Sequence, residues 1–403
     1  MSRPRALTCP PGITEGGVDS IFGAYAATVR ASTDYWTSAL RRRARPLDVA
    51  VDLLQWYSTA LGRRRPAWAT PHEIVAEWPI ARLRDFSGPN ESDRTKARTG
   101  ARNAAPAQVA TLFLPPQAGH DSCIVDFAPR QSQIATARAA GLTRVFSLDW
   151  IGATAETKDA SIDDYLSVLV SSVEQLGGRV NLVGDCQGGW LAVIYAALYP
   201  ETINTLTIAG APVDFHAGDP LIHDWMQVLS PAGDLDFYRA LVTANGGLLP
   251  GELLLAGFIA MQPEAEVVRQ LQLLAHLQDA EYVDRYRIFE DWFKHTQPIP
   301  GNFYLWIVEH LFQNNELIAG SLVVGGRPVQ LANITAPLYL LAGTSDHITP
   351  AAQVFALAGL AGTAPEQVDQ LLASGGHLGL FMGHEALREH WAPLFASIAT
   401  RSG

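Results

Sequence analysis

One stretch near the middle of the 403-residue chain constrains its fold more than any other: RVNLVGDCQGGW at positions 179–190. An apolar run reaches Gly184, Cys186 follows two residues later, and two glycines lead into an Ala-rich segment at 191–199. The pattern predicts a strand, a tight turn and a helix. A Gly-x-nucleophile-x-Gly turn needs its glycines because a Cβ there would clash with the neighbouring strand or helix.

Cys186 stands where a hydrolase with this pattern usually carries serine. The helix that follows would direct its N-terminal N–H groups and the positive end of its dipole at the sulfur, which favours the thiolate. We therefore expect an activated nucleophile, although the pattern alone also fits an ordinary buried cysteine. The backbone N–H of Gln187 is expected to face the oxyanion that forms when the nucleophile attacks.

Predicted strands and helices alternate along much of the chain. Such alternation predicts a parallel sheet with right-handed crossovers. We expect an α/β-hydrolase fold with a mainly parallel sheet and an inserted helical cap. Besides the strand before Cys186, strands are predicted at 109–114, 145–150, 205–211, 336–343 and 368–372, a helix at 162–176 and a helix entry at 121–140.

Four segments are predicted from the changes in this rhythm. They are an N-terminal helical extension at 1–69, a first core part at 70–217, a helical cap at 218–310 and a second core part at 311–403. Within the extension, apolar residues at helical spacing predict helices at 21–40 and 47–61. The cap has helical periodicity and no convincing strand, and the polar stretch at 85–108 is expected to be an exposed loop.

Two residues downstream complete a catalytic pattern. Asp346 follows the predicted strand at 336–343, and His377 lies in a glycine-flanked loop after the strand at 368–372. The chain order nucleophile, acid, base is that of α/β-hydrolases. His377 is expected to accept the thiol proton or activate the attacking oxygen, and Asp346 to fix its tautomer.

The loop after the strand at 109–114 is expected to complete the oxyanion hole. It reads PPQAGH, and its two prolines have no N–H to donate. The donor must therefore be Gln117 or Ala118, and we expect Gln117.

Two further residues, Asp185 and His347, are direct neighbours of members of the predicted triad. Asp185 could raise the pKa of the adjacent thiol or polarise a water, but acidic residues often occupy this position without effect. His347 follows Asp346 directly, so its side chain points elsewhere and is expected to pack in the turn.

Composition excludes several classes of function. The net charge of −11 and a pI of about 5.4 argue against a nucleic-acid partner. Three widely spaced cysteines, Cys9, Cys123 and Cys186, form neither a disulfide framework nor a metal site, and no phosphate-binding loop is visible. We expect no metal and no bound cofactor. Lacking a signal sequence or a long apolar run, the protein is expected to be cytoplasmic.

Motifs spread over the chain from about residue 70 to its end resemble those of polyhydroxyalkanoate synthases, most closely the class III catalytic subunit. They are FSLDW at 146–150, DDY at 163–165, NLVGDCQGG at 181–189, NELIAG at 315–320, VQL at 329–331, DHI at 346–348 and GGHLG at 375–379. The resemblance implies that Cys186 takes an (R)-3-hydroxyacyl group from coenzyme A as a thioester. His377, supported by Asp346, would activate the 3-hydroxyl group for chain extension.

The same resemblance implies partners. These are a hydroxyacyl-CoA, which is a substrate rather than a cofactor, and the growing polyester chain, as in poly(3-hydroxybutyrate) biosynthesis. A second subunit or a homodimer and a location at polyester granules are also implied. Asp185 and Trp190 depart from the usual family pattern around the cysteine.

Three functions remain open from the sequence. Acyl transfer is favoured because a thioester on cysteine exchanges readily with a thioester substrate. Hydrolysis by the same residues, as in an intracellular polyhydroxyalkanoate depolymerase, an esterase or an acyl-CoA thioesterase, is the alternative. A non-catalytic protein that binds granules or a partner is the third, and the intact triad argues against it.

Overall fold

The computed structural model describes residues 15–88, 108–218, 233–261 and 263–403, together with positions 220, 222, 226 and 228–230. The loop expected at 85–108 lies outside the described residues except at its ends, and Cys9 lies outside them as well. None of the described helices combines the length and the apolar character that crossing a membrane requires.

An eight-stranded sheet forms the centre of the larger part of the chain. In spatial order its strands run β1-β2-β4-β3-β5-β6-β7-β8, and all neighbours are parallel except β1 with β2 and β2 with β4. The strands are β1 (Glu73–Trp78), β2 (Ala81–Asp85), β3 (Ala110–Leu114), β4 (Val145–Trp150), β5 (Val180–Asp185), β6 (Ile203–Ala209), β7 (Leu338–Gly343) and β8 (Val368–Ala373). The α/β-hydrolase fold with a mainly parallel sheet is thereby confirmed.

Some helices pack on this sheet, and others form the rest of the described chain. They are α1 (Glu15–Arg41), α2 (Pro46–Leu61), α3 (Gln133–Ala139), α4 (Ile162–Gln175), α5 (Gln187–Leu198), α6 (Asp236–Ala244), α7 (Gly251–Met261), α8 (Pro263–Ala275), α9 (Ala280–Phe293), α10 (Gly301–Trp306), α11 (Glu316–Ala319), α12 (Ala351–Phe355), α13 (His377–Met382), α14 (His384–Ala386) and α15 (Ala392–Thr400). The predicted helices at 21–40, 47–61 and 162–176 are confirmed as α1, α2 and α4.

The central strands are buried on both faces. Every residue of β3, β5, β6 and β7 is buried, as is typical of parallel strands covered by helices on both sides. Strand β5 lies between β3 and β6, with Asp185 at its end opposite Ala209. The nucleophile turn therefore follows the central strand of the sheet.

Three local predictions were wrong. β2 was not predicted, because its charged residues obscure the alternation of apolar and polar positions. One of them, Arg84, donates a hydrogen bond to Asp149 of β4. The region 121–140 is not one helix entry, since a short hairpin precedes α3 and Ser132 caps that helix by accepting from the N–H of Ala135. The predicted cap also holds two short paired strands, Leu248–Leu249 and Ile299–Pro300.

The chain divides into two structural units. One comprises Met1–Arg65 and Leu255–His295, and the other comprises Pro66–Leu254 and Thr296–Gly403. This division differs from the predicted extension at 1–69 and cap at 218–310. In the first unit α1 packs on α8, α2 packs on α8 and α9, and the indole N–H of Trp56 donates to the Gln270 carbonyl at 2.8 Å. These contacts join the middle of the predicted cap to the extension, while the ends of the cap belong to the sheet unit.

Candidate active site

Cys186 lies in a strained turn between β5 and α5. Its φ of 49° and ψ of −118° are rare for a residue with a side chain. Its N–H donates to the Ala209 carbonyl at 2.9 Å, and its own carbonyl accepts from the N–H of Gly189 at 2.9 Å. The turn therefore holds the thiol at the carboxyl end of the central strand, where α5 begins.

Glycines are required around this turn, as expected. A Cβ on Gly188 would lie 2.0 Å from the Leu114 carbonyl oxygen, and one on Gly189 would lie 2.3 Å from the Ala211 Cβ. A Cβ on Gly184 would lie 2.6 Å from the Cα of Gly189. Since real Cβ atoms do not approach other atoms so closely, no other residue fits these positions without moving the backbone.

His377 and Asp346 form a buried pair. The imidazole Nδ1 of His377 donates to Oδ2 of Asp346 at 2.7 Å, and the carboxylate side chain is fully buried. Oδ1 of Asp346 accepts from the N–H groups of Ile348 and Thr349 at 3.0 and 2.9 Å. With Nδ1 committed to Asp346, Nε2 is the nitrogen that faces Cys186.

The thiol and the imidazole interact directly. Burial by itself would lower the pKa of His377, but the charge of the Cys186 thiolate and hydrogen bonds with Asp346 and Cys186 raise it to about 10. The imidazole therefore keeps its proton at neutral pH beside the sulfur. An imidazole beside a thiol can accept its proton, which is how a cysteine nucleophile is activated.

The two predicted oxyanion donors lie near the start of α5. Gln187 is the first residue of α5, so its N–H has no acceptor within the helix. A Cβ on Gly188 would touch the backbone of Leu114 and Pro115. The loop that carries Gln117 therefore lies against the start of α5. The geometry is compatible with both donors, and their role stays a prediction.

Two aromatic residues hold that loop in position. The indole N–H of Trp150 donates to the Pro115 carbonyl at 2.9 Å, and Tyr165 accepts from the amide of Gln117 at 3.3 Å. The rings of Trp150 and Tyr165 are in contact, with centroids 5.1 Å apart. The FSLDW and DDY motifs contain these residues, but their sequence did not indicate what they hold.

Two further residues that the sequence singled out, His347 and Trp190, lie near the predicted triad. His347 is exposed beside Asp346. Trp190 is buried, with its ring 6.1 Å from that of Phe303 and 6.2 Å from that of Trp306. This unusual tryptophan is therefore part of the core behind the turn.

A buried pair next to Cys186 was not anticipated. Oδ2 of Asp185 accepts from the side-chain amide of Gln133 at 2.7 Å, and both side chains are buried. Burial raises the pKa of Asp185 to about 7, against the opposing effects of the Gln133 hydrogen bond and the His377 charge. The sequence singled out Asp185, but nothing in it connects this residue with Gln133 in α3.

Across the described part of the chain, no group of three or more His, Cys, Asp or Glu side chains is arranged to hold a metal ion.

The chain is similar to one family model and to several known proteins. A family model described as a protein of unknown function, DUF3141, matches residues 97–400. The poly(3-hydroxyalkanoate) polymerase subunit PhaC of Allochromatium vinosum is 30% identical over 252 residues, which cover 61% of this chain and 68% of that protein. The subunit of the same name from Haloferax mediterranei is 26% identical over 379 residues, or 91% of this chain and 72% of that protein.

Among solved structures, a monoacylglycerol lipase from Paleococcus ferrophilus is 18% identical, with a TM-score of 0.44. The match covers 73% of this chain and 98% of the lipase.

Proposed function

Since the chain belongs to the polyhydroxyalkanoate synthase family and also to the family described as DUF3141, we propose that it polymerises (R)-3-hydroxyacyl groups. In this proposal coenzyme A delivers each group, and Cys186 holds it as a thioester. The hydrogen-bonded His377–Asp346 pair, placed so that Cys186 raises the pKa of the imidazole, is the observation that carries this proposal. It supplies a nucleophile, a base and an orienting acid in one place.

The first half of the reaction loads the enzyme. The Cys186 thiolate attacks the thioester carbonyl of the hydroxyacyl-CoA, and the oxyanion accepts hydrogen bonds from the N–H groups of Gln187 and Gln117. The carbon–sulfur bond to coenzyme A then breaks, and the leaving thiolate takes the proton from His377. The products are an acyl-Cys186 thioester, free coenzyme A and a neutral imidazole.

The second half extends the chain. Neutral His377 accepts the proton of a 3-hydroxyl group, whose oxygen attacks the thioester carbonyl on Cys186. The new ester forms as the carbon–sulfur bond breaks, which restores the thiolate beside the imidazolium. Asp346 keeps Nε2 of His377 directed at the reacting groups throughout, because it holds Nδ1.

Hydrolysis is the second candidate. The same three side chains can transfer the acyl group to water, giving an intracellular polyhydroxyalkanoate depolymerase, an esterase or an acyl-CoA thioesterase. The observation that favours it is Asp185, a buried carboxyl group beside the nucleophile where the resembling family usually has an aliphatic residue. Only the fate of the acyl group distinguishes the two reactions.

Purified protein mixed with (R)-3-hydroxybutyryl-CoA provides the test, with release of coenzyme A and the fate of the acyl group both followed. We expect Cys186→Ala to abolish release. The matched control is Cys123→Ala, which removes a buried cysteine outside the triad. Insoluble polymer or long protein-bound chains support the synthase, free 3-hydroxybutyrate supports the hydrolase, and release that survives in Cys186→Ala contradicts both.

We propose further that the helical unit is the surface by which the protein meets a polyester granule. Its helices α1 and α2 expose large apolar side chains: Val29, Trp36, Leu40, Leu47, Val51, Leu53, Leu54, Tyr57 and Leu61. Residues 26–65 contain eight arginines and three aspartates, a net charge of +5 in a chain of net charge −11. Apolar side chains bordered by arginines favour an apolar surface that carries negative charge. A second subunit or a second copy of this chain would compete for the same surface.

A further inference from the structure

Asp185 and Gln133 form a polar pair that the proposed reaction does not use. Asp185 is 1% exposed and Gln133 is 0% exposed. One hydrogen bond joins them, from Nε2 of Gln133 to Oδ2 of Asp185 at 2.7 Å. Among the described residues, neither Oδ1 of Asp185 nor Oε1 of Gln133 has a hydrogen-bond partner.

The two unpaired oxygens share a common explanation. An ionised carboxylate only accepts hydrogen bonds, and so does an amide oxygen, so neither can satisfy the other. A proton on Oδ1 makes Asp185 a hydrogen-bond donor. The Gln133 side chain, whose Nε2 already donates to Asp185, also offers Oε1 as the acceptor. One proton shared between Oδ1 and Oε1 would satisfy both buried oxygens, which otherwise stay desolvated without a partner among the described residues.

We propose that Asp185 and Gln133 form a buried acid–amide pair closed by one proton on Asp185, and that loss of this proton puts a negative charge beside His377. Asp185 is thus a positioning residue for the Cys186–His377 pair. It acts on the imidazole and does not touch the acyl group.

The pair is connected to the helix that carries the histidine. Nε2 of Gln133 also donates to the Phe381 carbonyl at 3.3 Å, and Phe381 lies in α13, which begins at His377. The rings of His377 and Phe381 meet edge to face, with centroids 5.0 Å apart. The amide of Gln133 therefore links the end of β5 to α13.

Among the described residues, the charge that acts on Asp185 is that of His377 in α13. Cys186 follows Asp185 in the same turn, and Asp346 is hydrogen-bonded to the His377 imidazole. Gln133 from α3 and Ala209 from β6 carry no charge. His377 is thus the group that responds when Asp185 ionises.

The direction of the response follows from the charges. Burial holds the pKa of Asp185 at about 7, so the proton leaves as the pH rises through neutrality. The resulting carboxylate stabilises the imidazolium of His377 and keeps its pKa high. Removing the carboxylate lowers the pKa of His377, by about one pH unit for a nearby buried charge.

Infrared spectroscopy of the full-length protein tests for the proton. A protonated carboxylic acid has a C=O stretch distinct from that of a carboxylate. We expect this band below neutral pH in the wild type, its loss as the pH rises through about 7, and its absence in Asp185→Asn. Asp126→Asn is the matched control, because Asp126 is also buried but accepts hydrogen bonds from Thr70 and Ser132. A wild type without the band, or a band that Asp185→Asn retains, overturns the proposal.

The pH dependence of Cys186 alkylation tests the effect on His377. The rate of alkylation by iodoacetamide depends on the protonation of His377 beside Cys186, so we expect a step in the rate where the imidazolium loses its proton at alkaline pH. We expect Asp185→Asn, whose amide mimics the protonated acid, to move this alkaline step down by about one pH unit. A step that does not move overturns the proposal, since a purely structural role predicts no shift.

Gln133→Leu covers the case in which Asp185→Asn does not fold. Without the amide, the Asp185 carboxylate loses the donor that Gln133 supplies, so the acid band should persist to higher pH and shift to the frequency of a non-bonded acid. A band unchanged by Gln133→Leu overturns the pairing. Although the inference concerns the Cys186–His377 pair of the proposed function, neither measurement uses an acyl-CoA. A failure of this inference can therefore be distinguished from a failure of the proposed function.

Discussion

At the scale of single residues, the site depends on how the His377 ring is held. Asp346 binds Nδ1, and two backbone N–H groups, of Ile348 and Thr349, bind the other carboxylate oxygen. The imidazole therefore has one orientation available to it and, when it is neutral, one tautomer. In the proposed reaction Asp346 orients the imidazole, and Cys186 is the group that reacts.

Asp346→Asn should reduce the rate of coenzyme A release from the hydroxyacyl thioester by roughly 10²–10⁴-fold, because an amide donating to Nδ1 selects the wrong tautomer. The matched control is His347→Gln, which changes the exposed neighbour and should leave the rate unchanged. Steady-state release of coenzyme A measures both. Equal losses in the two variants would show that the turn, rather than the carboxylate, is what matters.

At the scale of elements, the turn between β5 and α5 is set by close backbone approach. Gly188 lies against the last residues of β3 and its loop, which are held from the other side by Trp150 and Tyr165. Strand, turn, helix and the neighbouring loop therefore form one rigid arrangement around the thiol.

Gly188→Ala should lower the free energy of unfolding by about 1–3 kcal/mol or more and slow alkylation of Cys186, because its Cβ would lie 2.0 Å from a carbonyl oxygen. Gly257→Ala makes the same change in α7, where a Cβ meets nothing within 4 Å, and should be neutral or stabilise by about 0.5–1 kcal/mol. Urea denaturation measures both variants. A Gly188→Ala protein as stable as the wild type would contradict the described turn.

Elements with a local pattern were predictable from the sequence, and those that depend on distant partners were not. The turn at Cys186, the strands leading to Asp346 and the helix α4 follow from apolar runs, glycines and periodicity. β2 was missed because its arginines pair with residues of other strands, which no local pattern reveals. The Asp185–Gln133 pair was missed for the same reason, since its members lie 52 residues apart.

At the scale of the whole molecule, charge is distributed unevenly along the chain. The segment 26–65 is basic in an otherwise acidic protein, and its exposed leucines lie in the helices α1 and α2. The unit boundaries were not predictable, because the helices from 255–295 pack with a segment about two hundred residues earlier in the chain.

The double variant Leu40→Asp/Leu54→Asp should weaken binding to polyester granules by at least about tenfold, because two exposed leucines no longer bury their side chains. Leu360→Asp changes an exposed leucine of the sheet unit and should bind normally. Co-sedimentation with poly(3-hydroxybutyrate) granules measures the effect. If granule binding persists in the double variant while a concentration-dependent dimer is lost in sedimentation velocity, the surface joins two copies of the chain instead.

The partial exposure of Cys186 also makes the resting protein vulnerable to oxidants. A thiolate reacts with peroxide far faster than a thiol does. Cys123, the other cysteine within the described residues, is buried, and burial raises its pKa well above the usual value, so it stays protonated. Peroxide should therefore convert Cys186 selectively to a sulfenic acid, with loss of activity that dithiothreitol restores only while oxidation has gone no further.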